Sequence, residues 1–156
     1  MSVQNLVFRQ KLETDLDTAW AFFSDPKNLA RICPPEMNFQ IKSGLSESGT
    51  YSGQIIRYSL SPVMGIPMEW ITEITHVVDK KLFVDEQRKG PYKMWHHQHH
   101  FEKVDGGVLM TDILHYEVPA GFLGNLLNQI FIRKKVLEIF KYREQVIPEL
   151  LKQNNK

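Results

Sequence analysis

Apolar and polar residues alternate from about residue 4 to residue 13. Leu6, Phe8 and Leu12 fall on one side, and Val7, Arg9, Lys11 and Glu13 fall mostly on the other. A period of two predicts a strand with one face buried, at an edge or half covered. The period then changes. Thr14 or Asp15 can cap a helix, and Leu16, Ala19, Trp20 and Phe23 follow at helical spacing. Ser24-Asp25-Pro26 stops that helix and starts a second short one, with Asp25 as cap, Pro26 in the first turn and Leu29 and Ile32 inward. Cys33-Pro34-Pro35 ends it, because a residue before proline is pushed out of the helical region.

From Asn38 to Val118 the pattern is strand and turn, repeated. A short strand near Phe39 to Lys42 and a long one from Thr50 to Leu60 flank a turn at Gly44 to Gly49. Gly53, inside the second, predicts a bulge. A loop with Pro62, Gly65 and Pro67 leads to strands Met68 to Val78 and Leu82 to Arg88, which meet at Asp79-Lys80-Lys81. Gly90-Pro91-Tyr92 opens the next strand, and Asp105-Gly106-Gly107 is a hairpin signal before the last, Val108 to Val118. After Pro119-Ala120-Gly121 a helix is predicted, with an apolar stripe of Leu126, Ile130, Leu137, Phe140, Ile147 and Leu151. Arg133, Lys134, Lys135, Lys141 and Arg143 read as its solvated face, and Pro148 as a kink or re-cap near its end.

The pattern gives an α+β class: a curved antiparallel sheet of about seven strands around a long C-terminal helix, with two short helices after the first strand. A sheet that does not close tightly on such a helix leaves a cavity. The 156 residues read as one domain, 1–156. A net charge of +1 gives no electrostatic reason to expect nucleic acid. The single cysteine, Cys33, excludes an internal disulfide and reads as a packing residue. The first residues lack a signal-peptide pattern and no run is long and apolar enough to span a bilayer, so a cytoplasmic protein without integral membrane association is expected.

Candidate chemistry concentrates in the strand that contains His96, His97, His99 and His100. Side chains of a strand alternate between faces. Trp95, His97, His99 and Phe101 therefore share an aromatic, buriable face, while His96 and His100 point outward. Neighbouring strands match that face with Ile56, Tyr58 and Leu60; Trp70, Thr72 and Ile74; Phe83, Asp85 and Gln87; and Met110, Asp112, Leu114 and Tyr116. Apolar walls with a few placed polar groups are what a small-molecule site needs. The candidate ligand-binding residues are Tyr58, Trp70, Thr72, Phe83, Asp85, Gln87, Trp95, His97, His99, Phe101, Asp112 and Tyr116. If Asp105-Gly106 is a type I′ turn and Gly90-Pro91-Tyr92 a three-residue loop, His99 falls opposite Asp112, His97 opposite Asp85 and Trp95 opposite Tyr116. Four readings of the imidazole–carboxylate pairs stay open. They are sheet-stabilising hydrogen bonds, recognition of a polar group on a ligand, acid–base catalysis by His97 or His99, and a metal site that lacks a convincing third histidine.

The element order, with Tyr58-x-Leu60, Gly65-Ile66-Pro67-x-x-Trp70-x-Thr72-x-Ile74, Phe83-x-Asp85-x-Gln87, Gly90-Pro91-Tyr92-x-x-Trp95-x-His97-x-His99-x-Phe101, Asp112-x-x-x-Tyr116-x-x-Pro119-x-Gly121 and Tyr142-Arg143, resembles the START-like (SRPBCC) superfamily. The likeness is to its bacterial ligand-binding domains, related to polyketide cyclases and birch-pollen-allergen-type proteins. The resemblance implies a helix-grip fold and an internal pocket for an apolar or amphipathic, lipid-like molecule, held without a cofactor or metal by a monomer or homodimer. It implies no reaction. The enzymatic alternative is a cyclase or dehydratase using His97 or His99 as acid/base and Tyr116 as proton donor.

Overall fold

The computed structural model describes residues 3–47, 49–61, 65–119, 126 and 128–154. It contains strand β1 (Gln4–Leu12), helix α1 (Leu16–Phe23), 3-10 turns at Pro26–Ile32 and Pro35–Met37, and strands β2 (Gln40–Ser43), β3 (Gln54–Leu60), β4 (Met68–Val78), β5 (Leu82–Lys89), β6 (Met94–Val104) and β7 (Gly107–Glu117). A π-helical turn at Asn128–Ile132 leads into the long helix α2 (Arg133–Asn154). The strands form one curved antiparallel sheet in the order β1-β7-β6-β5-β4-β3-β2. This is the expected helix-grip architecture, with β1 at an edge. No helix among the described residues is long and apolar enough to cross a membrane.

Local chemistry explains most boundaries. Asp15 caps α1 by accepting from the Thr18 N–H at 2.8 Å, and Asp25 caps the following turn by accepting from the Lys27 N–H at 3.0 Å. That second element is 3-10 rather than α-helical. Asp105-Gly106 joins β6 to β7 with Val104 opposite Gly107. It is not a type I′ turn, because only Gly106 of the central pair has positive φ, +69°. The next glycine is required for space: a Cβ on Gly107 would sit 2.1 Å from the Leu12 carbonyl oxygen. β3 begins at Gln54 rather than Thr50, because Gly53, at φ +88°, belongs to the preceding turn. The register irregularities occur instead between Ile41 and Ser43, between Ile71 and Thr72, and between Ile74 and His76.

The last helix departs furthest from expectation. Its buried stripe is Val136, Phe140, Ile147 and Leu151, while Ile130 is 68% exposed and Leu126 and Leu137 also face outward. The intervening π turn, bonded i→i+5, takes up extra chain and shifts the phase of everything before it. Pro62, Ala120 and Gly121 lie outside the described residues.

Pro148 does not end the helix, which runs on to Asn154. A proline at 148 has no N–H for the carbonyl four residues earlier, at Glu144. Gln10 of β1 fills that vacancy, its Nε2 donating to the Glu144 carbonyl at 2.9 Å. Removing that donor by Gln10→Ala is expected to cost about 1 kcal/mol in urea unfolding. The cost should shrink in a Pro148→Ala background, where the helix can bond its own carbonyl. A double-mutant cycle without such coupling would refute this account.

Candidate functional site

Between sheet and helix lies a cavity of about 450 Å³. Ile56, Tyr58, Leu60, Trp70, Thr72 and Ile74 form one wall, and Phe83, Asp85, Trp95, His97, His99, Met110 and Asp112 another. Val136, Ile139, Phe140 and Arg143 of α2 close the opposite side. The exposed lining residues Val7, Arg9, Lys141 and Glu144 place the opening between the edge strand β1 and α2.

Strand alternation puts the polar groups on this face. β6 pairs His97 with Asp85 of β5, and His99 with Asp112 of β7, as expected from the two loops. The shortest contacts nevertheless run diagonally. His97 Nε2–H donates to Asp112 Oδ1 at 2.9 Å, and His99 Nε2–H donates to Asp85 Oδ2 at 2.7 Å. The remaining nitrogens also face carboxylates, His97 Nδ1 at 3.5 Å from Asp85 Oδ2 and His99 Nδ1 at 2.9 Å from Asp112 Oδ1. The last is an ion-pair contact outside hydrogen-bond geometry. Sheet twist brings diagonal neighbours within reach, so two expected pairs become one four-membered cluster.

The cluster has a definite charge pattern. Burial opposes charge on His99, but its bonds to Asp112 and Asp85 outweigh that and push its pKa up to about 9. His97 is lowered, by burial first and by the neighbouring His99 charge second, against its bond to Asp112. The carboxylates follow: burial raises each, and the imidazoles pull Asp112 and Asp85 below the ordinary range. At neutral pH His99 is the imidazolium and His97 the neutral ring. Phe83 stacks on His99 with ring centroids 4.2 Å apart, a favourable face for a cation. Burial also drives the Tyr58 and Tyr92 hydroxyls well above their usual pKa, so both are hydrogen-bond donors at neutral pH.

Asp85, His97 and His99 bring potential metal-ligand atoms within 4.8 Å of one another. Within that set His99 Nε2 stands 2.7 Å from Asp85 Oδ2, a hydrogen-bond distance, so a divalent cation would have to displace the proton on His99 and open the cluster.

Three expected lining residues stand elsewhere. Gln87 staples the β5–β6 loop, donating to the Tyr92 carbonyl at 2.6 Å and accepting from the Tyr92 N–H at 3.2 Å. Phe101 packs against Trp20 and Phe23, with centroids 5.5 Å from each. Tyr116 is fully buried behind the cavity wall, packed with Leu6, Leu114, Val136 and Phe140. His96 and His100 are half-buried on the outer face, where His96 meets Glu86 at 2.9 Å.

The sequence reading misses Arg143. Its charge groups it with the solvated helix face, yet it lines the cavity, and its Nε is buried with no hydrogen-bond partner. The signal is present in the sequence, since 143 falls in phase with Val136, Phe140, Ile147 and Leu151 on the buried stripe. Cys33 also lines the cavity. Burial raises its thiol, and the Arg143 charge offsets part of that rise.

No protein-family model and no curated protein matches the chain. Solved structures do. The ZhuI aromatase/cyclase of a Streptomyces species superposes with a TM-score of 0.77 at 10% identity, covering 99% of this chain and 97% of that one. The protein TTHA0849 of Thermus thermophilus has a TM-score of 0.76 at 13% identity, covering 98% and 100%. The ginseng (Panax ginseng) major latex-like protein 151 has a TM-score of 0.68 at 15% identity, covering 94% and 96%. At such identities the likeness is one of fold.

Proposed function

We propose, with the START-like helix-grip fold of this chain as premise, that it binds an apolar or amphipathic small molecule in the cavity between sheet and C-terminal helix, as a carrier or sequestering protein. What carries the reading is the cavity itself: about 450 Å³, walled mainly by aromatic and aliphatic side chains, with a few polar groups on the sheet and on α2. That volume and mixture suit an organic molecule of modest size, whose apolar body fills the walls while a polar end meets one of those groups. The chain acts in this reading as a single cytoplasmic domain, monomer or homodimer.

Trp70 and Trp95 meet edge to face at 5.3 Å, and Tyr92 packs against both. Their rings offer an apolar face that a ligand can cover. The acid–base alternative is less well served, because its proton donor, Tyr116, lies outside the cavity lining.

The test is native mass spectrometry of freshly purified protein, with titration of N-phenyl-1-naphthylamine as a neutral fluorescent probe. A co-purified apolar molecule or micromolar probe binding is expected, and Trp70→Ala should weaken probe binding about tenfold. A folded protein that carries nothing and binds no probe would refute the proposal.

A further inference from the structure

The cavity contains one guanidinium that bonds the Cys33 thiol yet leaves its Nε–H without an acceptor. Arg143 enters from α2, its guanidinium carbon 5.1 Å from the centre of the Phe140 ring. Phe140 is itself stacked on Phe8 at 3.8 Å, so the arginine is braced against an aromatic stack. Its Nε–H is buried without an acceptor, and among the described residues no carboxylate lies within ion-pair distance. Cations on the outer surface are treated differently: Arg57 and Lys89 share Glu69, and Arg88 meets Glu73.

The cavity carboxylates cannot fill the gap. Asp85 and Asp112 are held by His97 and His99, and Arg143 influences Asp85 only through its charge. The other charged lining residues, Arg9, Lys141 and Glu144, are exposed at the opening, where solvent answers them. The buried Arg143 Nε–H has no such answer, and a buried donor without an acceptor costs stability. The planar guanidinium fork matches the paired oxygens of an organic anion, and a carboxylate is the one that leaves the rest of the molecule free to be apolar.

We infer that Arg143 is the anion-recognising group of this cavity, and that its ligand is an amphipathic carboxylic acid whose carboxylate pairs with Arg143 while its apolar body lies among Trp70, Trp95 and Phe83. This rests on the cavity-binding reading and narrows it to a chemical class. The His97–His99 cluster is then the wall beside the carboxylate and does not itself hold the anion.

The experiment compares matched acids and alcohols by displacement of N-phenyl-1-naphthylamine: octanoate against 1-octanol, and 2-naphthoate against 2-naphthol. The native chain should favour the acid of at least one pair by about tenfold or more. Which pair shows the larger preference separates a fatty from an aromatic acid. Arg143→Met should reduce the acid-to-alcohol ratio to near one while still binding the probe, which also reports that it folds. Arg143→Lys should keep part of the preference. If the probe binds and acids and alcohols compete equally, or if the preference survives Arg143→Met, the inference is overturned and cavity binding stands. If neither probe nor competitors bind, both fall together.

Discussion

Replacing Asp112 with leucine should lower the unfolding free energy at pH 7 by about 3–5 kcal/mol, the usual cost of removing one partner from a buried charge pair. One Asp112 oxygen faces both His97 and His99 at 2.9 Å, so the substitution removes a carboxylate from both imidazoles and leaves only Asp85 beside them. The larger part of the loss is the cost of the groups left behind. Replacing all four members, Asp85, His97, His99 and Asp112, with apolar residues of similar volume should therefore cost less than Asp112→Leu alone. Urea denaturation of the two variants decides the matter. A loss below about 1 kcal/mol for Asp112→Leu would mean that the cluster does not hold the sheet face together.

Alkaline pH should produce the second large effect. A histidine with its pKa raised in the folded state contributes stability that is fully present below the unfolded value of about 6.5 and is lost as pH rises through the folded value. For His99, at about 9, the loss falls between roughly pH 6.5 and 9 and amounts to about 3 kcal/mol. His97, lowered by burial, works in the opposite direction. Its contribution is present above about pH 6.5 and is lost on acidification as the neutral ring must charge. The depressed Asp85 and Asp112 add to the acid limb below about pH 4. Stability should peak near pH 6 to 7. Unfolding at pH 6.5 and 9.5 measures the alkaline fall, and His99→Gln separates it from Cys33, whose raised thiol pKa acts in the same range. An equal fall in His99→Gln would assign the effect elsewhere, and imidazole NMR should find His99 protonated at pH 8.

Which residues face the cavity is largely legible in the sequence because β-strands impose a strict period. That period separates His97 and His99 from His96 and His100, and the two loop lengths set the rows that place Asp85 and Asp112 beside them. The cross-bonding within the cluster is not legible, since twist and side-chain torsions choose between direct and diagonal partners. Gln87, Phe101 and Tyr116 have the right parity and stand opposite the lining residues Thr72, Met110 and Trp95, but the β5–β6 loop and core packing take up their side chains. Parity assigns a face and is silent about where along it the sheet parts from the helix. In the helix, one π turn moves the buried stripe from Leu126 and Ile130 to Val136 and its successors. Arg143 was legible by phase, since it falls in step with Phe140, Ile147 and Leu151, but its charge groups it with the solvated face.

The order of synthesis gives α2 another significance. Strands β1 to β7 are complete by Glu117, before any of the 22 residues of α2 has left the ribosome. Until then Trp70, Trp95 and the imidazole cluster line an open trough, and the chain has surfaces for a ligand but no chamber. The chamber forms only when α2 docks and Gln10 of β1 reaches the Glu144 carbonyl. Its integrity thus reports that the chain has been made through α2, and a copy cut short before α2 would present the same aromatic surface to water and to its neighbours.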